Sequence, residues 1–417
     1  MRILSVNQSD IDGGAARASH RLASKLLNMN CDLKMLVMRK LGKDEWVLAP
    51  RGFQQMFVSR LLPRLDLITK RIVGVHRDNS WSLNLFPNYL MNTSFANSFD
   101  VIHLNWVGKN MLPLSKIHGF AKPIVWTLHD SWAFTGGCHV PAGCRNFENS
   151  CGNCPQLNNG EKADISHEIW LKKSSAYTNL PLHFIAPSRW IADEARASSL
   201  LKTFPVFVIP NGLDTTIFAP RGKADSRVVL GLPSDKRIIL FGAMYADTDK
   251  NKGLDLLIEA LNVLDQQNID FAKQNVVVIF GTANQALSER FPLPIICLGM
   301  INDENKLARI YSAADLVVVP SRSESFGQVA SESLSCGTPV VAFNTTGLKD
   351  IVDHKVTGYL AECFQPVDLA NGIRLLGEAS DIVGQMSENA RQRAVERFDI
   401  HVTAKMHLDL FKYLYSN

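Results

Sequence analysis

Two glutamates eight positions apart, Glu324 and Glu332, stand in the segment ADLVVVPSRSESFGQVASESLSCGTPVVAFN (314–344). The pattern predicts a buried strand ending at Pro320, a polar loop, and a helix beginning near Ser325–Gly327. A helix start leaves backbone N–H groups without intrahelical partners and carries the positive end of the dipole, so it favours anions. Gly327 would let a phosphate approach closely. If helical throughout, eight residues separate the carboxylates by roughly 12 Å. The paired acids of glycoside hydrolysis lie about 5–9.5 Å apart, so the spacing disfavours a two-acid hydrolase. It suits two separate tasks, one carboxylate beside a sugar ring and one accepting hydrogen bonds from distant hydroxyls. The plain alternative is a solvated loop acid and a surface-helix acid.

Lys252 precedes Gly253 at another helix start, ten residues after the strand RIILFG (237–242). An ammonium there can balance charge building on a departing diphosphate; a solvent-facing lysine is the alternative. Gly13-Gly14 opens a helix in DIDGGAARASHRLASKLL (10–27), whose amides could meet a phosphate or a sugar hydroxyl, or form only a tight turn. The spacing is not G-x-G-x-x-G, which disfavours a nicotinamide enzyme. His129, followed by Asp130, ends the strand IVWTL, and His103 lies in DVIHLNW; both read as site histidines or as satisfied structural residues. Trp106, Trp126 and Trp132 could stack on sugar rings or fill a core.

Four of the eight cysteines fall in GGCHVPAGCRNFENSCGNCPQL (136–157). Cys151-x-x-Cys154 is half of a zinc site that Cys138 and Cys144 could complete, with His139 able to replace one ligand. Disulfides and reduced buried thiols are the other readings. The stretch RGFQQMFVSRLLPRLDLITKRIVGVHR (51–77) is basic and apolar with one acid, Asp66. It reads as a helix against an anionic bilayer or over the protein's own core, with Pro63 expected to interrupt any single long helix.

The elements that must position these residues follow from a chain of 417 residues, long enough for two domains. Hydrophobic residues make up 46% and charged residues 20%, which excludes disorder as the main theme. A net charge of +4 is too mild to imply nucleic acid. Apolar runs of about five residues, such as VVVIF, are too short to span a bilayer, which needs roughly 20. The N-terminus turns polar too early for a signal core, so a cytoplasmic protein is expected, at most peripheral to the inner membrane face. Near-continuous Val/Ile/Leu runs alternate with helical segments throughout, which predicts α/β architecture with two doubly wound parallel sheets. The expected domains are residues 1–205, 206–395, and a C-terminal helix at 396–417 packing back on the first. The turn residues of IPNGLD (209–214) mark the joint.

Glu324-Ser325-Phe326-Gly327, Glu332 and the following CGTPVVAFNTTGLKDIVDHKVTGYL resemble the donor-site signature of retaining GT-B glycosyltransferases of family 4. FIAPS (184–188), IPNGLD and KGLDLLIEA (252–260) precede it in the family's order, so the resemblance spans nearly the whole chain. It implies two Rossmann-like domains facing a cleft, an N-terminal domain for the acceptor and a C-terminal one for a UDP- or GDP-sugar. It implies that Glu332 holds the nucleotide ribose, Glu324 contacts the transferred sugar, and the backbone at Ser325, Phe326 and Gly327 meets the diphosphate. Lys252, Gly242 and Gly14 join the donor side. His129 joins Glu324 and Lys252 in catalysis, with His103 and Asp130 on the acceptor side. Where relatives carry an arginine after the strand glycine, this chain has Gly242-Ala243-Met244. The family resemblance implies retention of anomeric configuration, and the cysteine insert resembles the colanic-acid and exopolysaccharide branch, implying a glycan or lipid-linked acceptor. No Asp-x-Asp pair stands out at a strand end, so no catalytic metal is expected. A silent sugar-nucleotide-binding subunit and a nucleotide-sugar epimerase or hydrolase are the rival readings.

Overall fold

The computed structural model describes residues 1–50, 53–76, 79–86, 92–112, 114–158, 160–244, 248–281, 285–378 and 380–416. The chain forms two compact units, Met1–Gly212 with Thr403–Asn417, and Leu213–Val402.

The first unit holds strands β1 (Arg2–Ser9), β2 (Asp32–Arg39), β3 (Val47–Leu48), β4 (Val101–Leu104), β5 (Ile124–Thr127), β6 (Leu182–Ala186) and β7 (Val206–Val208), in the order β3-β2-β1-β4-β5-β6-β7. The second holds β8 (Arg237–Ala243), β9 (Asn275–Gly281), β10 (Ile295–Gly299), β11 (Leu316–Val319), β12 (Val340–Phe343) and β13 (Gly358–Ala361), ordered β10-β9-β8-β11-β12-β13. Neighbouring strands pair in parallel in both sheets. Strand order reverses beside β1 and β4 in one sheet and beside β8 and β11 in the other. Crevices beyond the carboxyl ends of strands at such reversals are where open α/β sheets bind ligands.

Each apolar run is apolar because both of its faces are covered. In the first sheet Leu4, Val6, Ile102, Leu104, Ile124 and Trp126 pack on one side. Ile3, Val101, Val125 and Ile185 pack on the other, against Leu22 and Leu26 of the Gly14–Asn28 helix. Ala404, Leu408, Phe411 and Leu414 of the Ile400–Ser416 helix complete that second layer. In the second sheet Leu240, Val278 and Val317 face one core and Ile239, Val277 and Val318 the other.

Three expectations change. The run at 206–208, assigned by sequence to the second domain, pairs with Phe184–Ala186 of β6 and closes the first sheet, so the division falls after residue 212 rather than 205. β13, a half-exposed strand without a continuous aliphatic run, gave no sequence signal. Within the basic stretch 51–77, residues 51, 52 and 77 lie outside the described residues, and Phe53–Ile72 is one helix with Pro63 inside it. An interior proline costs a helix about 3 kcal/mol. Here Val58 and Leu62 pack into the first core, and Leu62 O accepts from Asn110 Nδ2 at 3.0 Å, anchoring the helix beside the proline. Among the described residues no helix is long and apolar enough to cross a membrane.

Candidate active site

In the second unit, the loop after β11 and the turn before the Leu254–Gln267 helix are laced together. Asn251 Nδ2 donates to Ser323 O (2.7 Å), Arg322 N donates to Asn251 O (2.8 Å), and the Arg322 guanidinium grips both oxygens of Asp255 at 2.9 and 2.6 Å. Gly253 has φ +69°, and a Cβ there would collide with the Pro320 carbonyl, so only glycine lets the turn seat against the strand end. The lacing delivers Lys252 Nζ to within 2.8 Å of Glu324 Oε1, which also accepts from Ser321 Oγ at 2.9 Å. Both side chains keep some exposure, 26% and 21%. Burial lowers the affinity of the Lys252 ammonium for its proton, but Glu324 outweighs it and the pKa ends above the ordinary lysine value. Lys252 is therefore a fixed positive charge.

Three residues further on, Gly327 (φ +104°) forms the N-cap of the Gln328–Ser335 helix. The Phe326 ring is not available to a ligand: it is buried against Phe398, edge to face at 5.5 Å. Ser325 is half-buried in the same loop. Glu332 lies inside the helix, 4% exposed, and accepts from Tyr311 Oη at 2.9 Å. Tyr311 had no sequence signal, being one apolar-face residue of the Glu304–Ala313 helix. Gly242 has a packing reason, since a side chain there would strike the Phe280 ring. Lys252, Glu324, Ser325 and Gly327 thus cluster at the carboxyl end of β11, while Glu332 is set back into the protein.

In the first unit, Gly13 (φ +95°) caps the Gly14–Asn28 helix, and exposed Gly14 begins it. His129, just past β5, places Nε2 at 3.2 Å from Asn105 Oδ1 and 3.4 Å from Ser19 Oγ of that helix. Burial, only partly opposed by Asp130, brings its pKa down to about 4, so the ring is neutral at neutral pH. Asp130 Oδ1 accepts from Trp132 N (2.8 Å), and Oδ2 from Trp106 Nε1 (2.5 Å) and His139 Nδ1 (2.6 Å). Burial pushes this carboxyl up, but His139 and the N–H donors overcome it and hold the carboxyl below the usual range. His139 Nε2 in turn lies 2.9 Å from Ser82 Oγ. A small pocket opens here, lined by Asn105, Trp106, Thr127, His129, Asp130 and His139.

His103 does not join them. It sits within β4, 2% exposed, with Nε2 2.8 Å from Thr127 Oγ1, under His407 and Phe411 of the C-terminal helix. Among the tryptophans, Trp126 and Trp132 are core residues and Trp106 stacks on His139.

The zinc expectation is not met. Among the described residues no group of three or more His, Cys, Asp or Glu is arranged to hold a metal ion, and Cys138, Cys144, Cys151 and Cys154 are all free of disulfides. Burial raises the Cys138 thiol far above its ordinary value, Cys151 to about 12 and Cys154 to about 11. The segment is held instead by backbone donors, Gly136 N to Cys151 Sγ (3.2 Å) and Asn146 N to Cys144 Sγ (3.5 Å). Lys173, which the sequence did not single out, is fully buried beneath it and donates to the carbonyls of Trp132 and Thr135.

Residues 12–217 match the family model Glycosyltransferase Family 4, and residues 222–393 match Glycosyl transferases group 1. The D-inositol 3-phosphate glycosyltransferase of Saccharomonospora viridis is 30% identical over 219 residues, covering 50% of each chain. The chain spans about half the length of the curated relatives it matches. Sucrose-phosphate synthase from Thermosynechococcus elongatus superposes with a TM-score of 0.72 at 19% identity, covering 100% of this chain and 99% of that one. HepE of Anabaena in complex with UDP-glucose does so with a TM-score of 0.66 at 18% identity, covering 99% and 100%. At such identities the structural likeness speaks for the fold. The family matches run through both units, and the chain belongs to the GT-B glycosyltransferases, with a group 1 C-terminal domain and a family 4-like N-terminal domain.

Proposed function

We propose that this chain is a hexosyltransferase that moves a sugar from a UDP- or GDP-sugar to a glycan or lipid-linked acceptor in exopolysaccharide or O-antigen biosynthesis. It works with retention of anomeric configuration, without a catalytic metal, at the inner face of the membrane. The observation that carries the reading is the Lys252–Glu324 ion pair beside the Gly327 helix start at the carboxyl end of β11. A diphosphate arriving there competes with Glu324 for the Lys252 ammonium and gains the positive end of the Gln328–Ser335 helix. Glu324, released, turns to sugar hydroxyls. The anomeric C–O bond to the diphosphate breaks, a new C–O bond forms to the acceptor oxygen, and the leaving phosphate takes the acceptor's proton. Glu332, oriented by Tyr311, holds the ribose. In the N-terminal domain, neutral His129 offers a hydrogen bond without adding charge, and Asp130 shapes the acceptor side. The cysteine insert at 136–157 supports the exopolysaccharide branch. A second acceptor class, a phosphorylated polyol, is favoured by the relatives named as D-inositol 3-phosphate glycosyltransferases.

The test is a donor screen that follows UDP and GDP release from a panel of nucleotide sugars, alone, with membrane lipid extract, and with inositol 3-phosphate, with and without EDTA. Acceptor-dependent release that collapses in Glu324→Ala supports the transferase and identifies donor and acceptor class. Release independent of acceptor would favour an epimerase or hydrolase, and donor binding without release a silent subunit. The anomeric configuration of the product, read by NMR, decides retention.

A further inference from the structure

The Phe53–Ile72 helix divides its residues unusually. Val58, Leu62 and Asp66 face inward, with Leu62 and Asp66 fully buried. The outer face carries Met56, Phe57, Leu61, Leu67, Ile68 and Ile72, between 38% and 76% exposed, interleaved with exposed Arg60, Arg64 and Arg71. Six large apolar side chains along one solvent-facing stripe exceed the scattered singles of an ordinary surface. The charges are sorted as well. Asp66, the one acid of the helix, is turned into the protein, where Oδ1 accepts from Leu83 N (2.9 Å) and Oδ2 lies 3.7 Å from Lys70 Nζ. Every charge on the outer stripe is therefore positive.

We propose that this outer face is a docking surface for an anionic lipid bilayer. Apolar side chains in the middle of the stripe enter the headgroup–acyl boundary, and arginines among them meet lipid phosphates, their aliphatic stems lying along the apolar surface. A protein partner of matching shape would need acids aimed at three arginines and a groove for six apolar groups; a bilayer supplies both without any fixed pattern. The helix is also rigidly connected to the N-terminal site. Leu62 O accepts from Asn110 Nδ2, Asn110 N donates to Asn84 Oδ1, and Asn84 Nδ2 reaches Val107 O and Leu112 O in the loop after β4. Ser82, two residues earlier, meets His139 and thereby Asp130. A lipid surface on the helix is thus held at a fixed placement relative to the pocket of His129 and Asp130, which is what a lipid-linked acceptor requires. The purpose rests on the proposed transfer; the docking itself does not.

The test uses the full chain and vesicle sedimentation, with phosphatidylcholine alone against phosphatidylcholine mixed with phosphatidylglycerol. Wild type is expected to partition onto the anionic vesicles and to lose binding as salt rises, since the Debye length shrinks to about 8 Å at 0.15 M. Phe57→Glu/Ile68→Glu and Arg60→Glu/Arg64→Glu should each weaken partition by about tenfold or more. Ile72→Glu, at the most exposed position of the stripe, repeats the test should either double variant unfold in a thermal melt. No binding by wild type, equal binding by folded variants, or a wild-type dimer that the variants convert to monomer without lipid binding would each overturn the proposal. Binding by a wild type that turns over no donor would leave docking standing and sink the transferase reading.

Discussion

The strand-end sites of the two units handle charge in opposite ways. In the C-terminal unit, Lys252 and Glu324 pair across a half-open loop, with Ser321 as a second donor to the carboxylate and about a fifth to a quarter of each side chain in solvent. In the N-terminal unit, Asp130 is saturated by three donors and His129 is stripped of charge by burial. A pair that can be exchanged suits a ligand that brings its own charge and must leave again. A saturated carboxylate suits a scaffold that fixes neighbouring groups and changes little. The expected consequence is a split between residues that matter for turnover and residues that matter for folding.

The largest effect should fall on stability in the N-terminal unit. Asp130→Ala leaves the buried His139 and half-buried Trp106 donors without their acceptor, at a cost of about 1–3 kcal/mol for each in a denaturant titration. A loss under 1 kcal/mol would mean the network is dispensable and the contrast false. Glu324→Ala should show the reverse: nucleotide release down about 10²–10³-fold, as for removal of a preorganised electrostatic group. Its unfolding free energy should stay within about 1 kcal/mol, because a part-exposed pair stabilises little. Parallel losses in both assays would erase the distinction.

The buried histidines sharpen it through pH. Burial lowers His407 and His129 each to about 4, so between that value and the unfolded 6.5 the unfolded chain holds protons the folded one does not. Stability is then present above about pH 6.5 and lost as pH falls toward 4, up to about 3 kcal/mol for fully buried His407. His407→Leu should flatten that slope. Lys252 works the other way: its pKa is raised, so its contribution is complete below the ordinary lysine range and is lost only as pH rises through the folded value. Donor binding should accordingly stay level across neutral pH. The smallest effect belongs to Tyr311→Phe, which removes one hydrogen bond to the Glu332 carboxylate, worth about 1.5–3 kcal/mol, and should raise donor KM more than it lowers kcat.

Much of this architecture was legible in the chain. The aliphatic runs announced strands covered on both faces, and the motifs read from the sequence fall in the loops that follow β5 and β11. What stayed hidden has physical causes. Val206–Val208 looks like any other apolar run, and only its hydrogen bonds to β6 assign it to the first sheet. Pro63 argued for a broken helix because local propensity cannot register the packing of Val58 and Leu62 or the bond from Asn110. His103 resembled a site residue until the C-terminal helix, some three hundred positions later, was laid over it. The cysteine spacing allowed zinc, disulfides or reduced thiols alike, and only the fold brings the four side chains to places where, among the described residues, no metal-holding group forms and no disulfide closes.

By itself, then, the sequence determined the period of each element, the two-sheet α/β class and the residue types at the ends of β1, β5 and β11, because these depend on local pattern. Tertiary structure alone decided which charges meet. Lys252 and Glu324 are 72 positions apart and Asp130 and Trp106 are 24, and each pair is made by strands arriving side by side in a parallel sheet and by the turns that follow them. It also decided that Asp66 faces inward while three arginines face out, since the side chosen by a helix depends on what covers it.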